Sequence, residues 1–273
     1  MSDTDNTPDF YSHQLRLDWT QPDLPTHWYN GSPFYTHFMN ALSVTFPDGE
    51  RFFIDSIMSY REQISQDPQL HANVIEFVKQ ENWHRYQHTL YNRWMDSQGF
   101  PGQQIEDEMR EFWALMRTRW GDRNCLAATI AIEHITARNA ELLLKFRESF
   151  KMMHPHFESV WRWHAIEEIE HKSVSMDVWN AIGGDNRTRR LAMLVVLYYY
   201  TILLIRNTYK LLKADDPNKL NFLTLIKDAY TIIWKKRSGL LRNSIGSIWS
   251  YMTAPNWHPE DTDHTVLLKY SKI

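Results

Sequence analysis

Trp163-His164-Ala165-Ile166-Glu167-Glu168-Ile169-Glu170-His171 is the most informative run in the chain. Within it, His164, Glu168 and His171 are spaced H-x-x-x-E-x-x-H. At about 100° per residue along an α-helix, the three side chains fall within about 60° of one another and can reach one point. Imidazole and carboxylate donors gathered on one helical face are metal-ligand geometry, and bundle cores build such sites from facing helices.

Upstream, Glu81-Asn82-Trp83-His84 repeats the E-x-x-H half of the motif. In a chain with 15 Glu and 13 His such a pair is weak evidence by itself. Order adds specificity, because a four-helix carboxylate site takes one Glu from each of two helices and an E-x-x-H from each of the other two. The chain supplies Glu50, then Glu81 with His84, then Glu133, then Glu168 with His171, and His164 adds a third imidazole. Each of these four sets falls on a different expected helix.

Turn signals place those helices. Patterning begins near Phe34 and is expected to break at Pro47-Asp48-Gly49, with a second helix over 50–66. Asp67-Pro68 is a cap followed by a first-turn proline and starts a helix to about Ser97, which Gly99-Phe100-Pro101-Gly102 ends. A shorter helix over 103–119 precedes the Gly121-Asp122 turn, a long one runs to about Met152, and His154-Pro155 opens the helix carrying the motif, to about Ile182. Helices over 187–213, 217–236 and 239–252 and an irregular tail follow. The expected fold is all-α: a ferritin-like four-helix bundle with one crossover, extended by C-terminal helices. It divides into an irregular arm over 1–30, the metal-binding bundle over 31–186, and C-terminal helices and tail over 187–273.

Depth along the helices checks the ligands. Glu50 lies 17 residues before Asp67 and Glu81 lies 14 after it, so antiparallel helices bring them to similar heights. Glu133 lies 22 residues before Pro155, while Glu168 lies 13 after it. Unless the long helix ends early, near Glu148, Glu141 competes with Glu133.

A metal-bound imidazole usually passes its other ring N–H to a carboxylate, carbonyl or water. Glu167 and Gln80, each directly preceding an E-x-x-H glutamate, are therefore expected to support His84 and His171 respectively. His88 shares a helical face with His84, and His134 follows Glu133; with the ligand set already complete, both read as hydrogen-bonded packing residues. Thr129, among small residues one turn before Glu133, reads as helix packing, with a pocket wall as the alternative. Cys125 reads as a buried apolar residue.

Composition bounds the function. A net charge of −3 without a one-sided basic footprint argues against nucleic-acid binding. The single cysteine rules out an intramolecular disulfide, and the acidic start Met1-Ser2-Asp3-Thr4-Asp5 lacks signal-peptide features, so the cytoplasm is the expected location. The run LAMLVVLYYYTILLI over 191–205, at 15 residues, is short for a bilayer span and is expected to be a helix buried between others. Its flanking arginines and Tyr198-Tyr199-Tyr200 also suit peripheral membrane contact or an apolar substrate wall.

Taken together, Phe46-Pro47-Asp48-Gly49-Glu50, Glu81-Asn82-Trp83-His84, Ile132-Glu133-His134, the motif with Lys172, and Trp257-His258-Pro259 resemble a bacterial family labelled predicted metal-dependent hydrolase. The ligand order is also similar to that of ferritin-like di-iron enzymes, and His164 resembles the third histidine of the p-aminobenzoate N-oxygenase group. That resemblance implies Glu50, Glu81, His84, Glu133, His164, Glu168 and His171 as ligands of two metal ions, expected to be iron, with manganese or zinc as alternatives. The expected function is activation of O2 to oxidise an apolar or aromatic small molecule, with an electron donor as partner and a homodimer compatible with the chain. The alternative is a dinuclear hydrolase using a metal-activated water, and a third reading is a metal store or structural bundle.

Overall fold

The computed structural model describes residues 7–216, 220–236 and 239–261. They form α1 (Pro33–Ser43), α2 (Phe46–Met58), α3 (Arg61–Ile64), α4 (Pro68–Ser97), α5 (Gly102–Lys145), α6 (Glu148–Lys151), α7 (Pro155–Glu170), α8 (Val174–Ala181), α9 (Asn186–Ala214), α10 (Phe222–Ile233) and α11 (Leu240–Thr253), then a 3₁₀ turn at Pro259–Asp261. The fold is all-α, and β pairing among the described residues is limited to an isolated bridge between Tyr29 and Met153.

Helix starts follow local chemistry. The Asp67 carboxylate accepts the backbone N–H groups of Gln69 and Leu70 at 2.9 and 3.0 Å, with Pro68 at the first position, where its missing N–H costs nothing. Asp185 and Asn221 cap α9 and α10 in the same way, through the N–H groups of Thr188 and Thr224. The expected start of α10 at 217 lies outside the described residues; the described helix begins at Phe222.

Four boundaries depart from expectation. Pro47-Asp48-Gly49 does not break a helix but forms the first turn of α2, where proline is tolerated and Asp48 meets the positive end of the helix dipole. Glu50 therefore projects from within a helix. α2 closes at Met58 rather than near Gln66, and the short α3 completes the turn to Asp67. α5 ends at Lys145, well before Met152, although the turn expected at Gly121 is present as an interruption with φ 67° and ψ 163°, which suit glycine. The helix expected over 155–182 is two: α7 stops at Glu170, His171 leaves helical geometry at φ −100° and ψ 5°, and α8 restarts at Val174.

α2 packs against α4 and α5, α5 also against α7 and α9, and α1 against α9 and α10. One apolar cluster gathers Trp19, Trp28, Tyr91, Trp94, Phe157 and Trp161; a second gathers Phe52, Phe77, Leu126, Ile130, Val178 and Trp179. Trp28 stacks on Phe157 with centroids 4.5 Å apart. α2, α4, α5 and α7, with the turn after α7, carry Glu50, Glu81, His84, Glu133, Glu168 and His171, all buried, in a core otherwise built of these apolar clusters.

The arm before α1 lies on the bundle. The N–H groups of Asp9 and Ser12 donate to Asn73 and Glu76 of α4, and Gln87 donates to the Leu15 carbonyl at 2.8 Å. The arm ends in a latch. His27 and His37 present Nε2 to the same Asp215 oxygen at 2.6 and 3.0 Å, tying the arm and α1 to the end of α9. Asn40 faces His37 Nδ1 and accepts hydrogen bonds from Trp28 and Tyr91, so the polar groups behind the latch are paired.

α9 corrects the expectation for 191–205. Rather than being buried all round, it is a 29-residue helix in which 22% of the most apolar 18-residue window is buried. By length and composition alone it could cross a membrane. Met193, Val196 and Leu211 face inward, while Leu191, Leu194, Tyr198, Ile202 and Ile205 are exposed.

Candidate metal centre

Glu50 on α2, Glu81 and His84 on α4, Glu133 on α5, and His164, Glu168 and His171 on or at the end of α7 are all buried. Glu50, His84, His164 and Glu168 each offer a donor atom within 4.8 Å of the others, and Glu81, Glu168 and His171 form a second such group. Glu168 belongs to both. Glu133 joins the second group through Oε2, 3.5 Å from His171 Nε2. Glu141 does not: the early end of α5 sets Glu133 level with the motif, while Glu141 pairs with Arg138.

Each imidazole turns one nitrogen inward and the other towards a supporting group. His171 Nε2 lies 3.4 Å from Glu81 Oε1, and its Nδ1–H donates to Gln80 Oε1 at 2.8 Å. Gln80 is oriented in turn by its amide, which donates to Glu170 at 3.0 Å. His84 Nδ1 lies 3.7 Å from Glu81 Oε2, and its Nε2 stands 3.0 Å from Glu167 Oε2. The His13 N–H donates to Glu167 Oε1 at 2.7 Å, and Trp163 Nε1–H donates to the His13 carbonyl at 2.9 Å, so the arm holds Glu167 in place.

The tautomer of His164 follows from a buried chain of hydrogen bonds. Asn92 donates its amide to Glu106 at 2.7 Å, leaving its oxygen to accept the Ser43 hydroxyl at 2.8 Å. Ser43 Oγ then accepts from His88 Nδ1–H at 2.9 Å, and His88 Nε2 accepts from His164 Nδ1–H at 2.9 Å. Burial and the neighbouring His164 and His84 charges push the His88 pKa well down, so a neutral ring with one proton fits this order. His164 Nε2 is thereby aimed at Glu168 Oε1, 2.9 Å away, where a proton makes a hydrogen bond and a metal ion can take its place. His88 is thus packed, as expected, but it also sets the orientation of His164. Ser43, Asn92 and Glu106 escaped sequence reading. The signal was present as the four-residue spacing of Gln80, His84, His88 and Asn92, a polar stripe that is buried along α4.

The electrostatics of the cluster favour bound metal. Burial, then repulsion from neighbouring carboxylates, pushes the pKa values of Glu50, Glu81 and Glu133 well up. Burial also raises Glu168, but the hydrogen bond from His164 and the nearby imidazole charges outweigh it and hold Glu168 low. Burial, with His164 beside it, pushes His84 well down, and burial takes His171 to about 3. Both oxygens of Glu50, Glu81 and Glu133, together with Glu168 Oε2, His84 Nδ1 and His171 Nε2, have no hydrogen-bond partner. Buried polar atoms are rarely left so, and four carboxylates with neutral imidazoles balance the charge of two divalent cations. The residues fit metal held by carboxylate oxygens and imidazole nitrogens.

Aromatic rings line this centre. Trp163 meets His84 edge-on at 4.8 Å, Phe77 meets His171 at 4.9 Å and Phe46 lies 4.6 Å from His164. Of the other tryptophans near the motifs in sequence, Trp161 sits 5.4 Å from His88, whereas Trp179 packs under Arg123 and Trp83 beside Tyr86. Cys125 is buried and free, and Thr129 bonds Ser56 at 2.8 Å. A narrow cavity of about 70 Å³ reaches His164 and Glu168 between Leu42, Phe46, Trp161 and Tyr200. A second, of about 60 Å³, reaches Glu50.

An all-α fold that gathers unpartnered carboxylates and imidazoles from α2, α4, α5 and α7 into one buried cluster defines a metal-dependent protein. The chain belongs to the family described as predicted metal-dependent hydrolase, which matches residues 12–263. No curated protein and no solved structure matches it.

Proposed function

We propose that the centre holds two metal ions, one among Glu50, His84, His164 and Glu168 and the other among Glu81, Glu133, Glu168 and His171, and that the protein is a hydrolase acting on an apolar small molecule. The observation that carries this reading is the convergence of buried carboxylate oxygens and ring nitrogens without hydrogen-bond partners around a shared Glu168. The family description supports the reaction class. When bound, such a pair would lower the pKa of a water molecule and polarise the oxygen of the bond to be cleaved.

The chain's own residues do the rest. Glu167 and Gln80 keep His84 and His171 turned inward, and His88 does the same for His164. Phe46, Phe77 and Trp163 keep bulk water away, which strengthens every charge interaction within. The narrow cavity beside His164 and Glu168, walled mainly by Leu42, Phe46, Trp161 and Tyr200, admits an apolar group.

A second reading, activation of O2 at a di-iron pair with an external electron donor, is favoured by one observation. The ligands run along the chain in the order of ferritin-like di-iron sites, with His164 as a third imidazole. Elemental analysis of the chain purified without added metal, an absorption spectrum of the reduced protein before and after air, and ester and amide hydrolysis after loading with zinc or manganese separate the two. Hydrolysis that disappears in His84→Ala and His171→Ala supports the first reading. Iron with new visible absorbance on oxygen exposure, and no hydrolysis with any metal, overturns it in favour of the second.

A further inference from the structure

The exposed stripe of α9, with Leu191, Leu194, Tyr198, Ile202, Ile205 and Tyr209, runs one way along the helix at spacings of three and four residues. α10 and α11 continue the apolar surface with Phe222 and Leu223, 73% and 76% exposed, and Trp249, 69% exposed. An exposed apolar face of this extent marks a contact.

A groove of about 500 Å³, within the range of small-molecule sites, opens between α1, α5, α9, α10 and α11. Ile205, Tyr209, Ile233 and Leu241 belong to both the exposed face and the groove wall, so the groove opens on that face. At its inner end, Asn139, Tyr200 and Leu240 also wall the narrow cavity that touches His164 and Glu168. The Asn139 amide donates to the Tyr200 hydroxyl at 3.4 Å, and this pair stands between the groove and the centre.

Charge identifies what covers the face. Over 220–254 Lys227, Lys235, Lys236 and Arg242 are all exposed, and the one acid there is Asp228, on a chain of net charge −3. Asp228 is buried and accepts from Ser32 at 2.6 Å. A second copy seated on this face would bring a second set of the same cations into one interface, with no exposed acid over 220–254 to meet them. An anionic lipid surface complements them, and exposed Trp and Tyr among the apolar residues suit the same boundary.

We propose that the α9–α11 face rests on an anionic bilayer and that the groove takes an aliphatic chain from it, leading the chain past Tyr200 to the His164–Glu168 side of the centre. The substrate class is then a lipid with an aliphatic chain. That last step rests on the catalytic reading of the centre; the membrane contact and chain binding do not.

The test uses full-length protein sedimented with vesicles of phosphatidylcholine, with and without phosphatidylglycerol, and titrated with the fluorescent fatty acid cis-parinarate. The protein should pellet with the anionic vesicles, and neutralising Lys235 and Lys236 together (Lys235→Gln, Lys236→Gln) should weaken that binding roughly 25-fold, about fivefold per cation near an anionic surface. Leu223→Glu with Ile226→Glu should abolish it. Ala229→Trp, which fills the groove wall, should lose parinarate binding while metal content stays at the wild-type level. Both bindings should survive removal of metal by a chelator, so a failure of the catalytic reading alone leaves them intact. Protein that stays in the supernatant with both vesicles and sediments as a dimer that Leu223→Glu dissociates would assign the face to a second copy and overturn the proposal. Parinarate binding unchanged by Ala229→Trp would overturn the groove assignment.

Discussion

Gln80→Leu separates support of a ligand from ligation itself. Gln80 Oε1 accepts the His171 Nδ1–H at 2.8 Å, and its amide is held by Glu170 at 3.0 Å, so the amide has one orientation and His171 one tautomer. Leucine of similar size removes the acceptor without opening a large cavity. His171 then loses the bond that makes Nε2 a better donor, and loss of such a support typically costs 10–100-fold in metal affinity, about 1.4–2.7 kcal/mol. The metal-free protein is affected separately, because the orphaned His171 N–H costs about 1–3 kcal/mol of folding stability. Competition against a chelator of known affinity reads the first effect, and urea unfolding of the stripped protein reads the second. Gln80→Glu alone would set two carboxylates against each other at the Glu170 contact, so the rescue pairs Gln80→Glu with Glu170→Gln, which keeps an acceptor for His171 and a donor between positions 80 and 170 and should restore affinity. Full affinity in Gln80→Leu, or a loss that the paired Gln80→Glu and Glu170→Gln substitutions do not repair, would refute the reasoning.

Other residues give further tests. Glu168→Ala, which removes the carboxylate common to both ligand groups, should abolish paired binding, whereas Glu133→Ala should leave the Glu50–His84–His164–Glu168 group able to hold one ion; metal content per chain measures both. Gly102→Ala should destabilise by about 1–3 kcal/mol in a urea titration, because a Cβ there would meet the Asn92 carbonyl at 2.6 Å and push on the helix that carries His84 and His88. Asp215→Asn should cost about 1.5–3 kcal/mol at neutral pH through its hydrogen bonds with His27 and His37. Burial raises the Asp215 pKa, but those two bonds outweigh it and hold it below the ordinary value of 3.8. Below that value the unfolded chain takes up a proton that the folded chain refuses, so wild-type stability falls with pH and the gap to Asp215→Asn narrows. A gap that is constant from pH 7 to pH 3 would count against the latch.

Legibility differed by element. Asp67-Pro68 and His154-Pro155 were readable as helix starts because capping and the fixed φ of proline are local chemistry. Pro47-Asp48-Gly49 misled for the same reason: these residues suit a turn and the first turn of a helix equally, and packing of Gly49 against Trp113 is a contact between distant residues. The interruption at His171 was hidden too, since nothing in Glu170-His171-Lys172-Ser173 disfavours a helix locally.

The spacing of Glu50, Glu81, His84, Glu133, His164, Glu168 and His171 was determined by the sequence, because helical periodicity alone assigns side chains to faces. Which of Glu133 and Glu141 meets the motif was decided by where α5 ends, a matter of three-dimensional packing. The support of His164 by His88, Ser43, Asn92 and Glu106 joins α1, α4, α5 and α7, and so exists only once those helices are side by side. The same holds for α9. Its composition announced an apolar helix, but burial of one face and exposure of the other depend on which neighbours arrive, and hydrophobicity along the chain carries no record of them.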